Sequence, residues 1–126
     1  MNVVDSSGWL EYFAGGPNAD FFAAAVEAID DLVVPTVSLY EVFKRVLQQR
    51  GESDALQAIA LMQQGSVVEL TSPIALDAAR TSAELGLPMA DSIILVTARA
   101  CQATLWTQDS DFEGIEGVSY VAHESL

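Results

Sequence analysis

The stretch Ala103-Thr104-Leu105-Trp106-Thr107-Gln108-Asp109-Ser110-Asp111-Phe112 decides the fold. Its first half has the apolar and β-branched residues typical of a buried strand, and its second half contains an acidic Asp-x-Asp turn. The chain opens in a similar way, because the run Asn2-Val3-Val4 is followed directly by Asp5. Strands that each end at a carboxylate indicate a parallel sheet with an acidic carboxyl edge, where the working site of such sheets lies.

Outward from this stretch, apolar runs of strand length alternate with segments of helical period. The predicted strands are 2–5, 32–35, 67–70, 104–107 and 118–121, and the predicted helices are 7–13, 18–29, 39–49, 53–64, 73–85 and 90–102. This alternation predicts one α/β domain over residues 1–126. Its centre is a parallel β-sheet of four to five strands, flanked by helices on both faces.

Length and composition are those of a small globular protein. At 126 residues, 51% of them hydrophobic, the chain is too apolar for disorder and suits one domain. The apolar run 92–98 is far shorter than the roughly 20 residues that cross a bilayer. Met1 leads straight into a strand-like segment, so we expect no signal peptide and a cytoplasmic location. The single cysteine, Cys101, excludes an internal disulfide.

The charge balance is strongly acidic. A net charge of −13, with five Lys and Arg residues in total, makes non-specific attraction of RNA or DNA weak. Such a charge serves solubility, or it suits a chain that works beside a basic partner. Composition leaves both interpretations open.

Four acidic residues stand at element junctions, and each has a local explanation. Asp5 suits a helix N-cap or a turn. Glu41 completes the capping box Ser38-Leu39-Tyr40-Glu41, in which it would reach back to the Ser38 amide. Asp91 would complement the amino end of a helix dipole, and Asp109 would bond its own backbone in a turn.

Taken together, the four acids favour a different interpretation. Carboxylates grouped at one edge of a sheet cannot all stay ionised unless a divalent cation neutralises them. Ser7 and Thr107 place hydroxyls beside them, suited to holding carboxylates. The sequence has no His/Cys cluster for zinc, and oxygen ligands select hard ions such as Mg²⁺ or Mn²⁺. A metal-dependent hydrolase is therefore the leading hypothesis.

The motif Thr107-Gln108-Asp109-Ser110-Asp111-Phe112, with the opening Val4-Asp5-Ser6-Ser7, resembles the PIN-domain nucleases. The closest resemblance is to the VapC-type toxins of bacterial toxin–antitoxin modules, and it covers nearly the whole chain. Glu41 ends a Pro-x-Val-Ser-x-x-Glu segment, and Asp91 lies within a Leu-Pro-x-x-Asp-Ser-x-Ile segment.

This resemblance implies an endoribonuclease that depends on Mg²⁺ or Mn²⁺ and cuts structured RNA. It further implies a homodimer held inactive by an antitoxin whose basic tail enters the acidic site. The residues it assigns are catalytic Asp5, Glu41, Asp91 and Asp109, with Asp5, Asp91 and Asp109 as metal ligands and Ser7, Thr107 and Asp111 as supporting residues.

A nuclease this acidic needs a local basic patch to hold phosphate. Lys44, Arg45 and Arg50 are the candidates, because three of the five cations fall within one predicted helical region. The alternative is a solvated helix face on which Arg45 pairs with Glu41 at the i,i+4 spacing. His123, close to the end of the chain, is interpreted as a surface residue.

Two further functions compete with hydrolysis. In one, the acids bind a metal but the domain acts as an interaction module without turnover, held by a basic partner. In the other, the chain is a phosphoacceptor receiver domain, which needs a lysine near the end of a late strand. No lysine follows Lys44, so the sequence disfavours the receiver.

Overall fold

The computed structural model describes residues 1–124, in which five strands form one parallel sheet covered by helices. Residues 125–126 of the predicted domain lie outside the described residues. Two short 3-10 helices, Ile29–Asp31 and Ser110–Phe112, accompany the main elements. Those elements are β1 (Asn2–Val4), α1 (Ser6–Ala14), α2 (Ala19–Val26), β2 (Leu32–Pro35), α3 (Thr36–Arg50), α4 (Glu52–Met62), β3 (Ser66–Val68), α5 (Ser72–Leu85), α6 (Met89–Ala100), β4 (Thr104–Thr107) and β5 (Val118–Tyr120).

The strand order is β3-β2-β1-β4-β5, and every pairing is parallel. From β1 the chain builds outward through β2 to β3, and then crosses back to add β4 on the other side of β1. The order therefore reverses between β1 and β4. Ligands of open α/β sheets bind at such a switch point, outside the carboxyl ends of the strands. Asp5 and Asp109 follow these two strands.

The sheet separates two main hydrophobic cores. Successive side chains of a strand point to opposite faces, and Val3 and Val4 accordingly belong to different cores. One core packs α1 to α4 against the sheet, with Trp9 and Phe22 fully buried in it. The other packs α6 against the opposite face through Ile94 and Leu95. The predicted α/β architecture with helices on both faces is confirmed.

No helix within residues 1–124 is both long and apolar enough to span a membrane.

Several element boundaries differ from the prediction. The predicted strand 67–70 is β3, Ser66–Val68, because its neighbour β2 ends at Pro35, which pairs with Val68 and leaves the next residues without a partner. The predicted helix 18–29 stops at Val26, and a 3-10 turn then leads into β2. The predicted helix 39–49 begins three residues earlier, at Thr36, directly after Pro35.

Candidate metal centre

Asp5 lies at the carboxyl end of β1 and is the N-cap of α1. It is only 2% exposed, and protein donors surround its carboxylate. The Gly8 amide donates to Oδ1 at 2.9 Å, the Thr107 hydroxyl donates to Oδ2 at 2.8 Å, and the Ser7 hydroxyl lies 2.8 and 3.0 Å from the two oxygens. Burial raises the pKa of Asp5 from 3.8 to about 6, although these hydrogen bonds oppose the rise and nearby Asp109 adds to it. The capping interpretation of Asp5 is thus confirmed, and the cap lies inside an acidic cluster.

Asp91 lies in the first turn of α6 and is half-buried. Its pKa rises from 3.8 to about 7, first because of burial and then because of the charges of four other acids. In order of effect these are Asp109, Asp5, Glu41 and Asp111. Asp5, Glu41, Asp109 and Asp111 are therefore all close enough to Asp91 for their charges to act on it.

Asp109 and Asp111 are held by the turn that follows β4. The Asp109 amide donates to the Thr107 hydroxyl at 2.9 Å, and the Asp111 amide donates to Asp109 Oδ1 at 2.9 Å. Phe112, fully buried in the α6 core, anchors the same turn. As a result, Asp91, Asp109 and Asp111 each offer a carboxylate oxygen, and these oxygens lie within 4.8 Å of one another.

Glu41 lies in the interior of α3, where the capping-box prediction is wrong. The helix begins at Thr36, and its N-cap, Pro35, makes no side-chain cap. Ser38 is therefore inside the helix and fully buried, and its hydroxyl has no hydrogen-bond partner among residues 1–124. Glu41 Oε1 instead accepts a 2.6 Å hydrogen bond from the Ser6 hydroxyl at the start of α1. This bond joins α3 to the start of α1.

The donor chemistry of the cluster fits a hard divalent cation. Asp91, Asp109 and Asp111 supply oxygen ligands alone, the set preferred by Mg²⁺ and Mn²⁺. The family resemblance assigned Asp5, Asp91 and Asp109 as metal ligands. In the structure, the three carboxylate oxygens that lie close together belong to Asp91, Asp109 and Asp111. Asp5 contributes charge to the cluster while its own oxygens accept hydrogen bonds from the protein.

The three cations predicted to bind RNA are divided between two different surfaces. Lys44 and Arg45 line one cleft with Glu41, and the Lys44 ammonium lies 5.8 Å from the centroid of the Tyr40 ring. Arg50 lines a separate, largely apolar groove formed by α1, α3 and α4. The alternative pairing of Arg45 with Glu41 is not found. Within residues 1–124, the ion pair that forms joins Arg80 to Asp77.

Sequence reasoning missed several polar residues near the acids. Ser6 was not assigned a role, although its position next to Asp5 was a usable signal. Asn18 and Gln108 are both 7% exposed, and Asn18 Nδ2 donates to Gln108 Oε1 at 2.9 Å. His123 is exposed, as expected of a surface residue, but it lines a cleft together with Asp109.

The arrangement agrees with a known family. The PIN domain family model matches residues 3–118. The chain belongs to the PIN domain family. No curated protein matches this PIN domain by sequence.

Several solved structures share the fold of this PIN domain. A toxin–antitoxin complex from Klebsiella pneumoniae is 22% identical, with a TM-score of 0.78 over 94% of this chain and 96% of that one. VapC20 from Mycobacterium tuberculosis, described as a sarcin-ricin loop cleaving toxin, is 16% identical, with a TM-score of 0.77 over 92% and 95%. VapBC2 from Rickettsia felis, bound to a DNA fragment from its promoter, is 14% identical, with a TM-score of 0.74 over 96% and 97%.

Proposed function

We propose that this PIN domain is an endoribonuclease that depends on Mg²⁺ or Mn²⁺ and acts as the toxin of a toxin–antitoxin pair. The observation that supports it is the acidic cluster at the switch point of the sheet. There, burial and then the charges of four other carboxylates raise the pKa of Asp91 to about 7. Keeping so many carboxylates together has a cost that a divalent cation removes.

Asp91, Asp109 and Asp111 would hold the cation, since their oxygens lie within 4.8 Å of one another. A bound divalent ion supplies positive charge and Lewis acidity for phosphodiester hydrolysis. Asp5 and Glu41 add negative charge around these ligands. Ser7 and Thr107 keep the Asp5 carboxylate oriented, and Ser6 does the same for Glu41.

The toxin role draws support from the structural relatives, which include toxin–antitoxin complexes. A net charge of −13 suits an antitoxin with a basic tail, because opposite charges steer association. A homodimer, a cytoplasmic location and a structured RNA substrate belong to the same proposal. The sarcin-ricin loop named for the Mycobacterium tuberculosis relative makes ribosomal RNA a substrate to test first.

The test is cleavage of total RNA by the purified chain, with Mg²⁺, with Mn²⁺ and with excess EDTA. Asp91→Asn and Asp109→Asn should abolish cleavage. Asp30→Asn is the matched control, because Asp30 is exposed in the 3-10 helix that precedes β2, at the opposite edge of the sheet. Cleavage that persists in EDTA or in Asp109→Asn would overturn the proposal.

The alternative, an interaction module without turnover, separates from the nuclease in the same experiment. It predicts that Mg²⁺ raises the melting temperature of the chain while no RNA pool is cut. Metal-dependent cleavage at catalytic amounts of protein would exclude that alternative.

A further inference from the structure

A cleft of about 500 Å³ lies beside the acidic cluster, between the α1–α3 pair and the segments that follow β4 and β5. Its walls include Asp109 from the cluster and Ser7 beside it, together with Glu11, Arg45, Ser110 and His123. The Glu11 carboxylate accepts a hydrogen bond from the Asn18 backbone amide. The volume is within the range of small-molecule sites and is enough for a nucleotide unit. Because Asp109 lines the cleft and also belongs to the three proposed metal ligands, the cleft adjoins the place where the cation would bind.

Arg45 is the cation that borders the acids on two sides. It lines this cleft with Asp109, and it also lines the neighbouring cleft with Glu41 and Lys44. Despite these acids, Arg45 forms no ion pair within residues 1–124, where Arg80 and Asp77 do. An unpaired guanidinium that lines both clefts is available to an anionic ligand.

His123 reaches the cleft because the segment after β5 is tied down. The Val121 amide donates to the Thr107 carbonyl at 3.0 Å, and Asn18 Nδ2 donates to the Ala122 carbonyl at 3.0 Å. Asn18 is itself fixed, since its backbone amide donates to Glu11 Oε2 at 2.7 Å. These two hydrogen bonds fix the backbone immediately before His123. The exposed His123 ring offers an N–H donor in either protonation state.

We propose that this cleft, named here the Arg45–His123 cleft, binds an RNA phosphate that neighbours the scissile one. The inference rests on the proposed nuclease function and names the residues that hold its substrate. Arg45 and His123 donate hydrogen bonds to the phosphate oxygens, and the Ser110 hydroxyl at the cleft wall is a third donor. Asp109 lies at the same wall and repels an anion until a cation neutralises it, so RNA binding in this cleft depends on the metal.

The test compares Arg45→Ala and His123→Ala with the wild-type chain. Arg99→Ala is the matched control, because it removes an equal charge from the exposed last turn of α6, away from this cleft and from the neighbouring one. Binding of a fluorescently labelled single-stranded RNA dodecamer pool is followed by anisotropy, with Mg²⁺ and with EDTA, over a range of salt concentrations. Cleavage of the same pool gives KM and kcat.

We expect Arg45→Ala to weaken binding in Mg²⁺ about tenfold or more, as for loss of a charge-assisted hydrogen bond. The slope of log K against log salt should fall by about 0.7, the value for one phosphate contact on a single strand. His123→Ala should raise KM several-fold with kcat changed less, and Arg99→Ala should match the wild type. Binding by the wild-type chain should be weaker in EDTA than in Mg²⁺.

Two results would overturn the inference while leaving the nuclease intact. One is wild-type cleavage with unchanged binding, salt slope and KM in both Arg45→Ala and His123→Ala. The other is an Arg45→Ala variant that binds Mg²⁺ more tightly but RNA equally well, which would mean that Arg45 only balances the acidic cluster. Absence of metal-dependent cleavage by the wild-type chain would instead count against the proposed function.

Discussion

The Thr107 hydroxyl donates a 2.8 Å hydrogen bond to Asp5 Oδ2, joining the carboxyl ends of β4 and β1. The same hydroxyl oxygen accepts the Asp109 amide at 2.9 Å. One buried side chain therefore sets the positions of two acids that follow different strands. The bond crosses the point where the strand order reverses, which explains why the acidic cluster forms there.

The first prediction concerns Thr107→Val, which keeps the shape of the side chain and removes the hydroxyl. Asp5 is then left with one fewer donor in a buried position, so its pKa should rise further. We expect metal-dependent RNA cleavage to fall about 10- to 100-fold, as for loss of a group that orients metal-site residues. The free energy of unfolding should fall by about 1–3 kcal/mol.

Urea unfolding and initial cleavage rates measure these two effects. Thr104→Val is the control, because Thr104 lies on the same strand but is exposed. Equal losses in both variants would show that the hydroxyl of Thr107 has no special role.

The second prediction concerns the pH dependence of stability in metal-free protein. The pKa of Asp91 is about 7 in the folded chain against 3.8 for the free group, so the folded state binds more protons between pH 4 and 7. The free energy of unfolding should therefore decrease as pH rises through this window. Asp5, with a pKa of about 6, acts in the same direction.

Chemical unfolding between pH 4 and 8 in the presence of a chelator measures this decrease. Asp91→Asn should make it smaller, whereas Asp30→Asn should leave it unchanged. Mg²⁺ at pH 8 should stabilise the wild-type chain by mass action and Asp91→Asn much less. Stability of the wild-type chain that increases from pH 4 to 7 would contradict the role given to these acids.

The third prediction tests the position of Ser38. Its fully buried hydroxyl lacks a partner within residues 1–124, so Ser38→Ala removes an unsatisfied polar group. We expect the free energy of unfolding to stay the same or rise by about 1 kcal/mol. If Ser38 were a helix cap, the same change would lower it by about 1 kcal/mol. Urea unfolding distinguishes the two signs.

The fourth prediction concerns Asp111, an exposed residue whose carboxylate oxygen lies near those of Asp91 and Asp109. Asp111→Asn should lower the affinity for Mg²⁺ about tenfold, since each carboxylate ligand adds charge to the site. Glu113→Gln is the control, because Glu113 is exposed on the same turn. Calorimetric titration with Mg²⁺ gives both affinities, and equal values in the two variants would remove Asp111 from the ligand set.

Much of the fold could be predicted because its signals are local. The apolar strands, the helical periods and the Asp-x-Asp turn are all contained in short segments, and the positions of Asp5 and Asp109 after strands follow from them. The boundary of α3 could not be predicted in this way. A capping box at Ser38–Glu41 is a local signal, but Pro35 at the end of β2 starts the helix earlier and carries Ser38 into the core.

The sequence by itself determined the α/β class, the two faces of the core and the acids at the carboxyl edge, because alternation and strand ends are properties of consecutive residues. Only the tertiary structure decided which donors hold these acids. Ser6 bonds Glu41 across 35 residues, and Thr107 bonds Asp5 across 102. The tertiary structure also places Arg45 in a cleft beside the acids and Arg50 in the apolar groove. Such contacts depend on the strand order and helix packing, which bring distant segments together and leave no trace in the spacing of neighbouring residues.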